Sequence, residues 1–129
     1  MVDDGSTDPE TVRFLDSLDR PRLKLIRQSN MGLPGARNTG MRLARGDHLL
    51  PLDSDDGLEP EFMTKLLVAL ESAPTTGYAH CLARLHGDID AVWVPRPFNP
   101  YWQLMGNGIV GCVLLRAIAW RPSADTTRP

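Results

Sequence analysis

The sequence predicts an α/β layered fold with a largely parallel sheet, on two observations. Helical and strand-like apolar patterns alternate in the order helix, strand, helix, strand, helix over residues 8–71, with short connections. Polar, glycine-bearing or acidic turns fall where strands should end, which is where such sheets bind their ligands. The acidic run PLDSDD follows Leu49-Leu50 at one such end, and VDDGSTD occupies another if Val2 closes a strand.

The first helix starts at Asp8-Pro9-Glu10, a capping residue, a proline suited to the first turn and an acid suited to the positive end of the dipole. Val12, Leu15 and Leu18 give its apolar stripe, and Arg20-Pro21 is expected to end it. Leu23 to Arg27 alternates as a strand. The turn NMGLPG then leads into a helix over 34–45, with Gly46 expected as its C-terminal cap. His48 to Leu52 is a short buried strand in which Pro51 is awkward, since it cannot donate to a ladder. Glu59-Pro60-Glu61 opens a third helix that buries Met63, Leu66, Leu67 and Leu70. Tyr78 to Leu85 is expected to pair with Ala91 to Val94 across His86-Gly87-Asp88, and the polar segment after Trp120 to fray.

A length of 129 residues suggests one domain with a modest core. Apolar residues at 42% exclude a disordered chain, and a net charge of −2 gives no electrostatic case for a nucleic-acid partner. No apolar run approaches the roughly 20 residues that span a bilayer. Cys81 and Cys112 form no CxxC pair and are expected as reduced thiols; with no leader pattern after Met1, the expected location is cytoplasmic or peripheral at the inner face of a membrane. His48, His80 and His86 lack metal-ligand spacing, and there is no GxSxG, GxGxxG or GK[ST] motif.

Asp53, Asp55 and Asp56 crowd three carboxylates into four positions. Two such groups about 4 Å apart repel by roughly 1 kcal/mol in water and about 4 kcal/mol at a protein surface. The residues alone leave open a solvated turn with capping carboxylates and a cation site. VDDGSTD (2–8), GLPGARNTG (32–40) and LDSDD (52–56) together, in this order and spacing, resemble the GT-A glycosyltransferases of family 2. The likeness is strong over about the first 70 residues and weaker over Asn99–Arg116.

That resemblance implies a GT-A, Rossmann-like fold. It implies a sugar transferred from a nucleoside diphosphate donor, with a UDP-sugar expected, to an acceptor hydroxyl on a glycan, lipid or other molecule, by metal-assisted inverting displacement. Residues 1–72 would be the donor-binding half of a partial domain over 1–120, 77–120 its acceptor-side segment and 121–129 a disordered tail. Asp3, Asp4 and Arg37 would lie at the nucleotide, and Asp53 and Asp55 would form the DxD motif, one toward the ribose and the other toward Mg²⁺ or Mn²⁺. Asn30 and Asn38 would organise the pocket, Asp8 only caps, and Trp102 is weighed between core and acceptor cleft. Relative to that family the first strand is expected to be missing and the chain cut at both ends, leaving a sheet edge open to self-association. No residue is assigned as the base: Asp125 stands in the tail, and Asp88 and Asp90 lie in the wrong region. A non-catalytic nucleotide-binding or interaction module, or an inactive fragment of a longer enzyme, is therefore the alternative.

Overall fold

Val2 and Asp3 form a short strand, β1, which pairs in parallel with β2 (Ile26–Arg27) in the register Val2↔Ile26 and Asp3↔Arg27. Bonds from Ile26 N–H to the Met1 carbonyl and from Gln28 N–H to the Asp3 carbonyl, both 3.0 Å, bracket the pair. The crossover that makes a parallel pair possible is α1 (Pro9–Asp16). The computed structural model describes residues 1–95, 99–105 and 111–120, except for the side chains of residues 102 and 103. The expectations for Trp102 and for the tail 121–129 lie outside the described residues.

Asp8 caps α1 as expected: its carboxylate accepts from Thr11 N–H at 2.7 Å and from the Thr11 hydroxyl at 2.8 Å. Leu15 is buried while Val12 and Leu18 are half-buried, so the expected stripe faces inward. The helix stops before Arg20-Pro21 because Ser17 satisfies its last carbonyls, its hydroxyl donating to Phe14 O at 2.7 Å. The next helix, α2, runs Gly32–Leu43, two residues ahead of the expected start. Ala44 ends it in an extended conformation (φ −68°, ψ 141°), so Gly46 is not its left-handed cap. Gly35 has to be glycine, since a Cβ there would sit 2.5 Å from Met31 Cβ.

The chain divides into two compact units, Met1–Arg45 and Gly46–Pro129. In the second unit β3 is only His48–Leu49, shorter than expected because Pro51 withdraws a ladder donor. Helix α3 (Phe62–Glu71) buries Leu66 and Leu70, with Phe62 and Leu67 packed against them. Met63 is exposed, which corrects its place in the stripe: the spacing of four from Phe62 through Leu66 to Leu70 points inward, and Met63 falls beside it.

The expected long hairpin splits. Tyr78–Ala79 forms β4, while β5 (Ala83–Leu85) pairs antiparallel with β6 (Ala91–Trp93) around Gly87. After α4 (Pro100–Met105), β7 (Leu114–Arg116) runs antiparallel between β3 and β4, and α5 (Ala117–Trp120) follows it. Because β3 and β4 each oppose β7, they point the same way, as their α3 crossover predicts. The α/β class therefore stands, but the sheets are mixed: β1–β2 is the parallel pair, and the strand that separates β3 from β4 arrives from 35 residues downstream of β4, beyond the reach of local periodicity.

Leu66, Leu70 and Leu114 form the core of the second unit, with Leu50, Phe62, Leu67, Ala79 and Cys81 around it. Each such leucine, fully buried, is worth about 1.5–3 kcal/mol. Arg116 fastens β7 to the end of α3, its guanidinium donating to Leu70 O and, at 3.0 Å, to Thr76 O. Cys81 and Cys112 are both thiols, and no helix among the described residues is long and apolar enough to cross a membrane.

Candidate functional site

The carboxyl ends of β1 and β2 carry Asp3, Asp4 and Gln28 side by side. Asp3 is the one buried polar side chain among the described residues, at 7% exposure. Burying a carboxylate requires compensation. Ser6 N–H donates to Asp3 Oδ1 at 3.0 Å, and Arg27 Nε lies 3.4 Å from Oδ2. Hydrogen bonds from the Ser6 side chain and backbone, aided by the Arg27 charge, hold the Asp3 carboxyl below its usual pKa against the opposing effect of burial. Arg27 is itself braced by Asp16 at 2.8 Å, which ties the end of α1 to the same turn.

Asp4 points into a different set of bonds. Its Oδ1 accepts from Gln28 Nε2 at 2.6 Å and from Met31 N–H at 2.9 Å. Between the aspartates and Ser6, Gly5 takes φ +82°, and a Cβ on it would come 3.0 Å from Asn30 N. The turn after β1 thus lies against the segment after β2, and glycine is needed both for the conformation and for the approach. Asn30 Oδ1 accepts from Gly32 N–H at 3.0 Å, closing the entry to α2.

Arg37 rides on α2, the helix whose start these bonds set, and its Nε is buried. With the helix beginning at Gly32, Arg37 is in the second turn and not the first, so it escapes most of the unfavourable dipole. Asp3, Asp4 and Arg37 all belong to the first unit.

Asp53, Asp55 and Asp56 belong to the second unit, on the turn beyond β3. Asp56 N–H donates to the Asp53 carbonyl at 3.2 Å, and Asp53 is half-buried while Asp55 and Asp56 are exposed. Among the described residues no group of three or more His, Cys, Asp or Glu side chains is gathered to hold a metal. These residues therefore form no all-protein cage, and what the turn offers a hard cation is the oxygen chemistry of the Asp53 and Asp55 carboxylates.

A cleft of about 500 Å³ opens at the start of α3, lined by Glu59, Pro60, Glu61, Phe62, Lys65, Leu66 and Cys81. Burial pushes the Cys81 thiol up and Lys65 is paired with Glu61 at 2.6 Å, so neither is poised as a nucleophile. Asp90 is engaged by Arg84 at 3.1 and 3.2 Å.

Sequence reasoning missed Gln28, Arg27 and Asp16. The register was the available signal for the first two: extending Asp3↔Arg27 by one residue places Asp4 opposite Gln28. It required knowing that β1 and β2 are parallel neighbours.

The family profile described as "Glycosyl transferase family 2" matches residues 1–112. A chondroitin synthase of Escherichia coli is 49% identical over 63 residues, covering 47% of this chain and 9% of that protein. The putative glycosyltransferase EpsH of Bacillus subtilis is 39% identical over 69 residues, covering 52% and 20%. An uncharacterised glycosyltransferase of Haemophilus influenzae is 34% identical over 101 residues, covering 78% and 34%. The chain thus matches between 9% and 34% of the length of these curated relatives. With the profile match running through the turn after β1, the α2 segment and the acidic turn after β3, this chain belongs to glycosyl transferase family 2 and carries its GT-A fold.

Proposed function

We propose that this chain forms the donor side of a glycosyltransferase and binds a nucleoside diphosphate sugar, with UDP as the nucleotide. The observation that carries the reading is Asp3: a buried carboxylate, kept ionised by Ser6 and Arg27, at the carboxyl end of a parallel strand pair. An acceptor-only group in that position suits the N3–H of uracil or a ribose hydroxyl. Arg37 supplies a planar cation for the base or the phosphates. By the family resemblance, Asp53 and Asp55 of the second unit would hold Mg²⁺ or Mn²⁺. When bound, such a cation offsets the charge that develops on the diphosphate leaving group.

Transfer to an acceptor hydroxyl with inversion requires a base for the hydroxyl proton. Within the acceptor-side segment 77–120, Asp88 and Asp90 are the acidic residues, and no Asp or Glu occurs from Ala91 to Trp120. That observation favours a second reading for these 129 residues by themselves: nucleotide binding without turnover.

Calorimetric titration with UDP, with and without Mn²⁺, tests the donor site. Binding that needs Mn²⁺ and disappears in Asp55→Ala is the expected result. A cooperatively folded chain that takes up no UDP under either condition overturns it.

A further inference from the structure

Helix α2 begins with a difficulty. The first turn of any helix leaves backbone N–H groups without partners inside the helix, and a capping side chain ordinarily accepts from them. The residue at the cap is Met31, whose side chain makes no such bond. Two acceptors come from elsewhere. Asn30 Oδ1 takes Gly32 N–H, and Asp4, 27 residues upstream, takes Met31 N–H at 2.9 Å. A carboxylate at this end also suits the helix dipole.

Asp4 can do this only if its carboxylate is aimed, and Gln28 aims it. The Gln28 amide donates to the same Oδ1 at 2.6 Å, while Gln28 N–H is fixed to the Asp3 carbonyl at 3.0 Å. Backbone and side chain of one residue thus fasten both aspartates of the turn. The close packing of Gly5 on Asn30 leaves little slack between the segments so joined.

We infer that Gln28 and Asp4 are a positioning pair: Gln28 orients the Asp4 carboxylate, Asp4 caps α2 from a distance, and the helix so placed presents Arg37 to the donor. Asp4 then acts through its hydrogen-bond acceptor and contributes no charge to nucleotide recognition, which falls to Asp3. The inference rests on the donor-site reading for its last step only; the clamp on α2 stands independently of it.

The test uses the full chain with Gln28→Ala, Asp4→Ala and Asp4→Asn, read by hydrogen–deuterium exchange over residues 31–37 and by UDP titration in Mn²⁺. Asparagine keeps an oxygen that can accept both bonds, so it separates an acceptor from a charge. Gln28→Ala and Asp4→Ala are expected to speed exchange at 31–37 and to weaken UDP about tenfold or more, as loss of a hydrogen bond to a charged group does. Asp4→Asn should keep exchange and affinity within about threefold of the parent, well short of that loss. The inference is overturned if Asp4→Asn loses UDP as fully as Asp4→Ala while exchange at 31–37 is unchanged, because the charge then meets the ligand directly. It is equally overturned if Gln28→Ala leaves exchange at 31–37 unaltered. A parent chain that binds no UDP removes the donor reading, and the exchange data still decide whether the clamp exists.

Discussion

The two units of this chain are held by different means. In Gly46–Pro129 the fixed point is apolar: Leu66, Leu70 and Leu114 are packed together, and the acidic turn beyond β3 contributes nothing to that cluster. In Met1–Arg45 the buried residues are Leu15 and Asp3, and much of the geometry comes from polar bonds made by Asp3, Asp4, Gln28, Asn30 and Arg27. Asp3, which helps to stabilise the first unit, is therefore also a residue proposed to meet the nucleotide. In the second unit, stability and the candidate cation turn are separate. Substitutions in the two units should therefore fail in different ways.

The largest expected effect is in the apolar unit. Leu70 is fully buried at 0% exposure, and Leu70→Ala should cost about 2–5 kcal/mol, from lost transfer energy plus the cavity left behind. A chemical denaturation series measures it. For a domain of this size that is a large part of the total. Asp55→Asn in the same unit should move stability by no more than about 0.5 kcal/mol, because the side chain is exposed. If the two losses prove similar, the separation between core and turn is wrong.

The polar unit should show itself through pH. Asp3 and Asp8 both have folded-state pKa values held below the usual 3.8, the first chiefly by Ser6 and the second by Thr11. Groups shifted this way contribute stability that is complete above the unfolded pKa and is lost as pH falls through the folded value. Melting midpoints should therefore be level from pH 7 to about 5 and decline below about 4. Asp8→Ala should flatten part of that decline and lower the neutral-pH midpoint by less than Leu70→Ala does. An unchanged acid limb in Asp8→Ala would mean that the cap carries none of the dependence.

The same contrast explains what could be read from the sequence. Local chemistry was legible: Asp8-Pro9-Glu10 marked a helix start, Leu66 and Leu70 marked a buried face, and the three motif segments marked the family. What depended on partners distant in the chain was not. β7 slots between β3 and β4, and Tyr78 pairs with Leu115, a contact to which no periodicity points. Asp4 was legible as a carboxylate on a turn, but its partners Gln28 and Met31 lie across a parallel ladder whose register the sequence does not announce. Gly46 was expected as a cap on residue type alone, and the helix ended at Leu43 instead.

The second unit also carries a polar contact on its surface, and little stability should depend on it. Glu61 and Lys65 form an ion pair at 2.6 Å on the first turn of α3, next to the buried Leu66. The short distance suggests strength, but both side chains are largely in solvent, at 73% and 74% exposure. Water screens the attraction, and fixing two long side chains costs entropy, so such pairs on helices are worth about 0.3–0.5 kcal/mol. The order Glu then Lys at four residues' spacing is the favourable one, and the acid sits at the positive end of the helix dipole. Glu61→Gln should therefore lower stability by about 0.3–0.5 kcal/mol in dilute buffer and by less at 1 M salt, where charges are screened within about 3 Å. A double-mutant cycle with Lys65→Met isolates the pair. A coupling above about 1 kcal/mol would exceed what an exposed pair supplies, and would show that polar bonds hold the second unit as they hold the first.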